Sequence, residues 1–190
     1  MKLEAKKVIV FAANEYEDLE AWYPILRLKE EGAEVTIVGW DNGCTECESK
    51  HGYPIKVDKK AKDIDTENYD AAIVPGGYAP DRLRRCKNVQ RIIKEMNEAN
   101  KVIASICHGG WVLVSADILA GVKMTSTPAI KDDLRNAGAE WVNEEVVVDG
   151  NLVTSRAPQD LPVFMKTIID IIDKKAVSYT HLTLPTNREV

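Results

Sequence analysis

Cys107 stands where an apolar run, Lys101-Val102-Ile103-Ala104-Ser105-Ile106, stops and His108-Gly109-Gly110 begins, with the helix-like stretch Trp111–Ala116 behind it. A strand–nucleophile–helix junction of this kind is a nucleophile elbow: the turn is sharp, and the sulfur stands clear of the backbone at the edge of a sheet. The glycines let neighbouring chain come close without a Cβ clash. A following helix would set partial positive charge and free N–H groups at the sulfur, which favours thiolate. The chemistry so implied is nucleophilic attack on an electrophilic carbon. His108 can serve as base or ion-pair partner if its ring reaches the sulfur. In the acidic segment Asn14-Glu15-Tyr16-Glu17-Asp18-Leu19-Glu20, Asp18 and Glu20 suit a solvated helix N-terminus, where the dipole favours carboxylates. One of Glu15 and Glu17 could instead reach over the sheet to Cys107. A carboxyl there would share a proton with the thiol, and burial would raise its pKa toward neutrality. Pro75-Gly76-Gly77 closes another apolar strand, so backbone N–H groups at Gly76 and Gly77, with that of His108, are candidates to polarise a carbonyl oxygen.

Cys44-Thr45-Glu46-Cys47 with His51 has metal-like spacing. Zinc would want a fourth ligand, which the sequence does not supply, and no helix follows as it would in a redox CxxC. The expectation is a surface loop with free thiols and no metal or other cofactor.

The elements that must position these residues can be read from hydrophobic periodicity. Val8–Ala12, Val35–Val38, Ala71–Pro75 and Val102–Ile106 are short, continuously apolar and strand-like. Between them, Leu19, Trp22, Tyr23 and Leu26 fall at i, i+3, i+4, i+7, as do Val89, Ile92, Ile93 and Met96. Ile130, Leu134 and Ala137 mark a short helix. Glu145–Thr154 predicts a hairpin turning at Asp149-Gly150-Asn151. Leu161, Phe164, Met165, Ile168 and Ile172 form a last helical face. Alternating β and α with continuous apolar strands implies an α/β fold: a mostly parallel sheet covered by helices on both faces, with ligands at the carboxyl ends of the strands. Cys107, Gly76-Gly77 and the segment after Ala13 all fall at such ends.

A chain of 190 residues with net charge −5 is long enough to bury a core without disulfide or metal support. The acidic balance argues against a nucleic-acid partner. The apolar run Val8–Ala13 is too short for a membrane span or a signal h-region, so no membrane association and a cytoplasmic location are expected. From about Ala176 onward the sequence shows no face worth burying and reads as a vector-derived tail, leaving residues 1–175 as a single domain.

The motifs together resemble the ThiJ/PfpI superfamily, most closely its PfpI-type intracellular protease and deglycase (glyoxalase III-like) branch. The resemblance spans about residues 7 to 173. It is carried by Ala13–Asp18, Lys50–Tyr53, Val74–Gly77, Ala104–Gly109, Ile130–Leu134 and Val147–Asn151 through Thr154–Arg156. It implies a flavodoxin-like three-layer sandwich and a reactive elbow cysteine. It also implies that Glu17 is the carboxyl bonded to Cys107, and that Asp81 of a neighbouring subunit completes a Cys107–His108 pair. Gly110 departs from the proline of the best-known relatives. Homodimers or higher oligomers follow from the same resemblance.

The expected function is cysteine-dependent chemistry on small α-oxoaldehydes or their adducts on proteins, of the glyoxalase or deglycase type. Cys107 would add to the carbonyl and Glu17 would shuttle the proton. Alternatives are a peptidase using Cys107, His108 and Asp81, and a non-catalytic redox sensor or holding chaperone, since an exposed low-pKa thiol oxidises readily. A glutamine amidotransferase of the same fold would want a histidine downstream of the elbow, and none lies between His108 and the tail residue His181.

Overall fold

The computed structural model describes residues 1–182, with side chains to residue 175. Its strands are β1 (Lys7–Ala12), β2 (Glu34–Gly39), β3 (Glu46–Glu48), β4 (Pro54–Lys56), β5 (Lys59–Lys60), β6 (Ala71–Val74), β7 (Val102–Ile106), β8 (Lys123–Met124), β9 (Glu140–Trp141), β10 (Val146–Asp149) and β11 (Leu152–Ser155). The helices are α1 (Asp18–Glu30), α2 (Ala79–Leu83), α3 (Lys87–Glu98), α4 (Gly110–Ser115), α5 (Lys131–Asn136) and α6 (Leu161–Leu182).

A seven-stranded sheet runs in the order β10-β11-β7-β6-β1-β2-β5. All neighbours are parallel except β10 and β11, which form the expected hairpin. The register sets Val10 between Ile37 and Ile73, and Ile73 beside Ala104. These residues are buried because α1 and α6 cover one face of the sheet while α3 and α4 cover the other. Strands buried on both sides must be apolar along their whole length, which is why the sequence showed continuous runs and not alternation. The chain leaves β1 toward β2 on one side and later returns to add β6 on the other. The gap above β1 and β6 is therefore a topological switch point, the place where such sheets open a crevice at the carboxyl ends of their strands.

The helical faces of α3 and α6 are buried as their spacing predicts. Helix α1 departs from its prediction. Leu19 and Leu26 are 56% and 59% exposed, with Trp22 and Tyr23 half-buried between them. The buried stripe is Ala21, Pro24, Ile25 and Leu28. Both stripes have the spacing i, i+3, i+4, i+7, two residues out of phase, so periodicity alone could not choose between them. The sheet receives the stripe continuous with Glu20, which is 0% exposed.

The short pairs β3–β4 and β8–β9 and the edge strand β5 are too brief to have left a pattern in the sequence. Helix α6 continues to Leu182, beyond Ala176 where the tail was expected to begin; residues 183–190 of that tail lie outside the described residues. Among the described residues no helix is long and apolar enough to cross a membrane.

Candidate active site

Cys107 follows β7 directly and takes a left-handed backbone conformation, φ 59°. A non-glycine residue there is strained and persists only where its surroundings over-determine it. Here parallel β6 and β7 fix the strand before the turn, and the short helix α4 fixes the chain after it. The elbow read from the sequence is thus present in the backbone.

The carboxyl beside the sulfur belongs to Glu20 and not to Glu17. Glu20 lies in the first turn of α1 on its buried side. Its Oε2 accepts the Gly76 N–H at 2.8 Å, and its Oε1 is buried with no fixed hydrogen-bond partner. Glu20 Oε2 and Cys107 Cβ both close on the space where a Gly76 side chain would stand, which sets the carboxyl beside the thiol residue. Glu17 caps α1: its Oε2 accepts the Glu20 backbone N–H at 2.9 Å, and its Oε1 lies 3.8 Å from Lys50 Nζ. The correction has a helical cause. Once Glu17 is the N-cap, its carboxylate turns back to the free N–H groups of the first turn, and the residue three positions on points into the sheet. Glu15 is excluded too; its carboxylate pairs with Arg82 at the surface.

Burial, and then the charge of Glu17, push the Glu20 carboxyl up to about 8. Burial, and then the charge of Glu20, push the Cys107 thiol up to about 12, against the backbone N–H groups of His108 and Gly77, which favour the thiolate. The sequence-based expectation of a helix-stabilised thiolate therefore fails for the isolated sulfur: α4 spans only Gly110–Ser115, and burial beside a carboxylate outweighs it. The two groups titrate as a pair. After its first proton is lost the pair carries one negative charge, held either as carboxylate and thiol or as carboxylic acid and thiolate. The second form is the nucleophile.

His108 Nδ1 lies 3.3 Å from Cys107 Sγ. Burial, helped by the charge of Lys50, holds the imidazole below its usual pKa, so it is neutral at neutral pH and does not supply the cation of an ion pair. Within the chain Asp81 is exposed on α2 and its carboxylate pairs with Arg85 at 2.9 Å. The glycine positions divide their labour. Gly76 N–H is occupied by Glu20, which removes it as an oxyanion donor, and a side chain at Gly76 would collide with Glu20 Oε2 and Cys107 Cβ. Gly77, at φ 75°, turns its N–H toward the sulfur, as His108 does.

Cys44 and Cys47 form a disulfide, with Cα atoms 5.7 Å apart, in place of the expected free thiols. His51 is held by Asp18, its Nδ1 2.7 Å from Oδ2. Among the described residues no group of three or more His, Cys, Asp or Glu side chains is arranged to hold a metal ion. Sequence reasoning missed Glu20 and Lys50. The signal for Glu20 was present, a carboxylate in line with Ala21, Pro24, Ile25 and Leu28. Nothing local marked Lys50, which the β3–β4 turn brings to Glu17.

The sequence pattern of the DJ-1/PfpI family matches residues 6–171. "Deglycase PH1704" of Pyrococcus horikoshii is 48% identical over 166 residues, covering 87% of this chain and 99% of that protein. "Deglycase PfpI" of Pyrococcus furiosus is 44% identical over 166 residues, with the same coverage of each. Among solved structures, a two-domain protein from Anabaena variabilis containing DJ-1/ThiJ/PfpI-like and ferritin-like domains superposes with a TM-score of 0.85 at 38% identity. That match covers 88% of this chain and 50% of the other. An elbow cysteine at the switch point of a parallel sheet, and a match over nearly all of the described residues, lead to one assignment: the chain belongs to the DJ-1/PfpI family.

Proposed function

We propose that this chain is a cysteine-dependent enzyme acting on small α-oxoaldehydes or on their adducts with proteins. The observation that carries the reading is the Cys107–Glu20 pair, in which a buried carboxyl able to hold or release a proton near neutral pH sits against a half-buried nucleophile. The names of the archaeal relatives, both deglycases, support the same chemistry.

The thiolate of Cys107 adds to the aldehyde carbon, and the carbonyl oxygen takes up the Glu20 proton to give a hemithioacetal. The Gly77 and His108 N–H groups stabilise the oxyanion as it forms. Glu20, now a carboxylate, removes the proton from the former aldehyde carbon to give an enediol and returns it to the adjacent carbon, while the hydroxyl proton on the first carbon passes to the neighbouring oxygen, leaving a thioester of the 2-hydroxy acid. Water cleaves the thioester and restores the thiol. The balance is oxoaldehyde plus water to hydroxy acid, with no external oxidant or reductant. Positioned acid–base help of this kind is worth roughly 10²–10⁴ in rate.

The His108 Nδ1 contact with Sγ also suits a peptidase, which would recruit Asp81 from a neighbouring copy; in this chain that carboxylate is engaged by Arg85. Conversion of methylglyoxal to lactate separates the readings. Wild type should produce lactate, Cys107→Ala should not, and Asp81→Asn should remain active. Peptide cleavage that depends on Asp81, without lactate, would support the peptidase and reject the proposal. Peroxide-dependent modification of Cys107 with neither turnover would instead support a redox sensor. Self-association into a homo-oligomer is part of the proposal, with the exposed Leu19–Leu26 stripe of α1 as the surface that would be covered.

A further inference from the structure

We propose that Trp111 is a positioning residue that holds the His108 imidazole against Cys107; the proposal rests on the reading of Cys107 as the reacting thiol. The contact of Nδ1 with Sγ, 3.3 Å, is the only hydrogen bond of the His108 ring among the described residues. One bond at one nitrogen leaves the ring free to swing about that contact, so its plane must be set by packing. Trp111 supplies it. The indole follows His108 by three positions, which stacks the two side chains one turn apart, and the ring centroids are 5.1 Å apart at an interplanar angle of 59°.

The indole is itself fixed from other elements. Its Nε1–H donates to Asp133 Oδ2 on α5 at 2.7 Å. The Arg84 guanidinium, from the end of α2, lies 5.7 Å from its centroid. Arg84 is in turn tied to α4 by its Nε–H donating to Ser115 Oγ at 2.9 Å. A cation at this distance from an indole is attracted to the ring. Trp111 therefore connects α2 and α5 to the imidazole and transmits their rigidity to a side chain that has little of its own. It also keeps water from that ring, in keeping with the depressed basicity of His108.

The test compares Trp111→Phe, Trp111→Leu and Trp111→Ala in the full chain. It reads the His108 titration by NMR, the pH profile of Cys107 alkylation by iodoacetamide, and kcat and KM for methylglyoxal. Loss of the ring should raise the His108 midpoint toward that of an ordinary imidazole and slow alkylation. It should lower kcat about tenfold with KM within about twofold. Trp111→Phe, which keeps an aromatic ring but loses the Nε1–H bond to Asp133, should fall between wild type and Trp111→Leu in all readouts. If Trp111→Ala does not fold, the Leu and Phe variants carry the comparison. An unchanged His108 midpoint and alkylation profile in the Leu variant would overturn the proposal, as would a Phe variant as impaired as Leu. If wild type forms no lactate, the substrate reading fails, while titration and alkylation still decide the role of Trp111.

Discussion

The Glu20 carboxyl is the residue on which the account turns, and its position leads to opposite effects in one variant. Glu20→Gln removes the charge that pushes the Cys107 thiol up, so alkylation of Cys107 at pH 8 should become faster than in wild type. Turnover should nonetheless fall by roughly 10²-fold or more, because the amide cannot relay a proton. Alkylation that slows along with turnover would show that the carboxylate assists thiolate formation and does not oppose it. In wild type the reactive form needs the pair to lose its first proton, so kcat should rise with pH through about 8. The same group links pH to stability. Its folded pKa lies above its unfolded value, so the native state holds an extra proton between about 4.5 and about 8, and stability falls as pH rises through that window. Thermal melts should therefore show a larger decrease in Tm from pH 5 to pH 9 for wild type than for Glu20→Gln, by several degrees. At this scale the sequence was informative about where Cys107, His108 and Gly77 stand, because their positions follow from backbone turns next to strands. It was misleading about Glu17, because which of two carboxylates three residues apart faces inward depends on where the helix begins.

Helix α1 shows how an element decides between residues. Its cap turns Glu17 to the N–H groups of the first turn and leaves Glu20 facing Gly76 and Cys107, and Glu17→Ala should separate the two. Loss of the cap costs about 1 kcal/mol, which for a chain of this size lowers Tm by about 2–4 °C. Lactate formation should remain far closer to wild type than in Glu20→Gln; an equal loss in the two variants would return the proton shuttle to Glu17. The turn after β6 is similarly demanding. Gly76→Ala would drive a methyl between Glu20 and Cys107, and should abolish turnover while leaving far-UV circular dichroism unchanged. The elements themselves were legible wherever a run was long and periodic, as in β1, β6, β7, α3 and α6. Two-residue and three-residue strands carry too few side chains to make a pattern. The face of α1 was unreadable for a different reason, since it presents two apolar stripes of equal spacing and only tertiary packing selects one.

Across the whole molecule, the parallel sheet brings loops distant in sequence to the switch point above β1, β6 and β7. Strand order follows from which strands pair across long separations, and local pattern does not encode it. The α/β class could therefore be read directly, while the order β10-β11-β7-β6-β1-β2-β5 could not. Leu19 and Leu26 are exposed on α1 on either side of the half-buried Trp22 and Tyr23, and apolar surface of this kind suits a partner. If the chain self-associates through it, Leu26→Arg should shift sedimentation toward monomer without lowering the Tm of the monomer; an unchanged sedimentation profile would place the interface elsewhere. In the proposed reaction the buried Glu20 carboxyl moves the proton after the elbow thiol has added to a carbonyl. The most direct test of that step is intact-mass spectrometry, with lactate quantification, of Glu20→Gln incubated with methylglyoxal. A covalent adduct on Cys107 should accumulate without lactate, whereas lactate formed by Glu20→Gln at the wild-type rate would rule out Glu20 as the proton carrier.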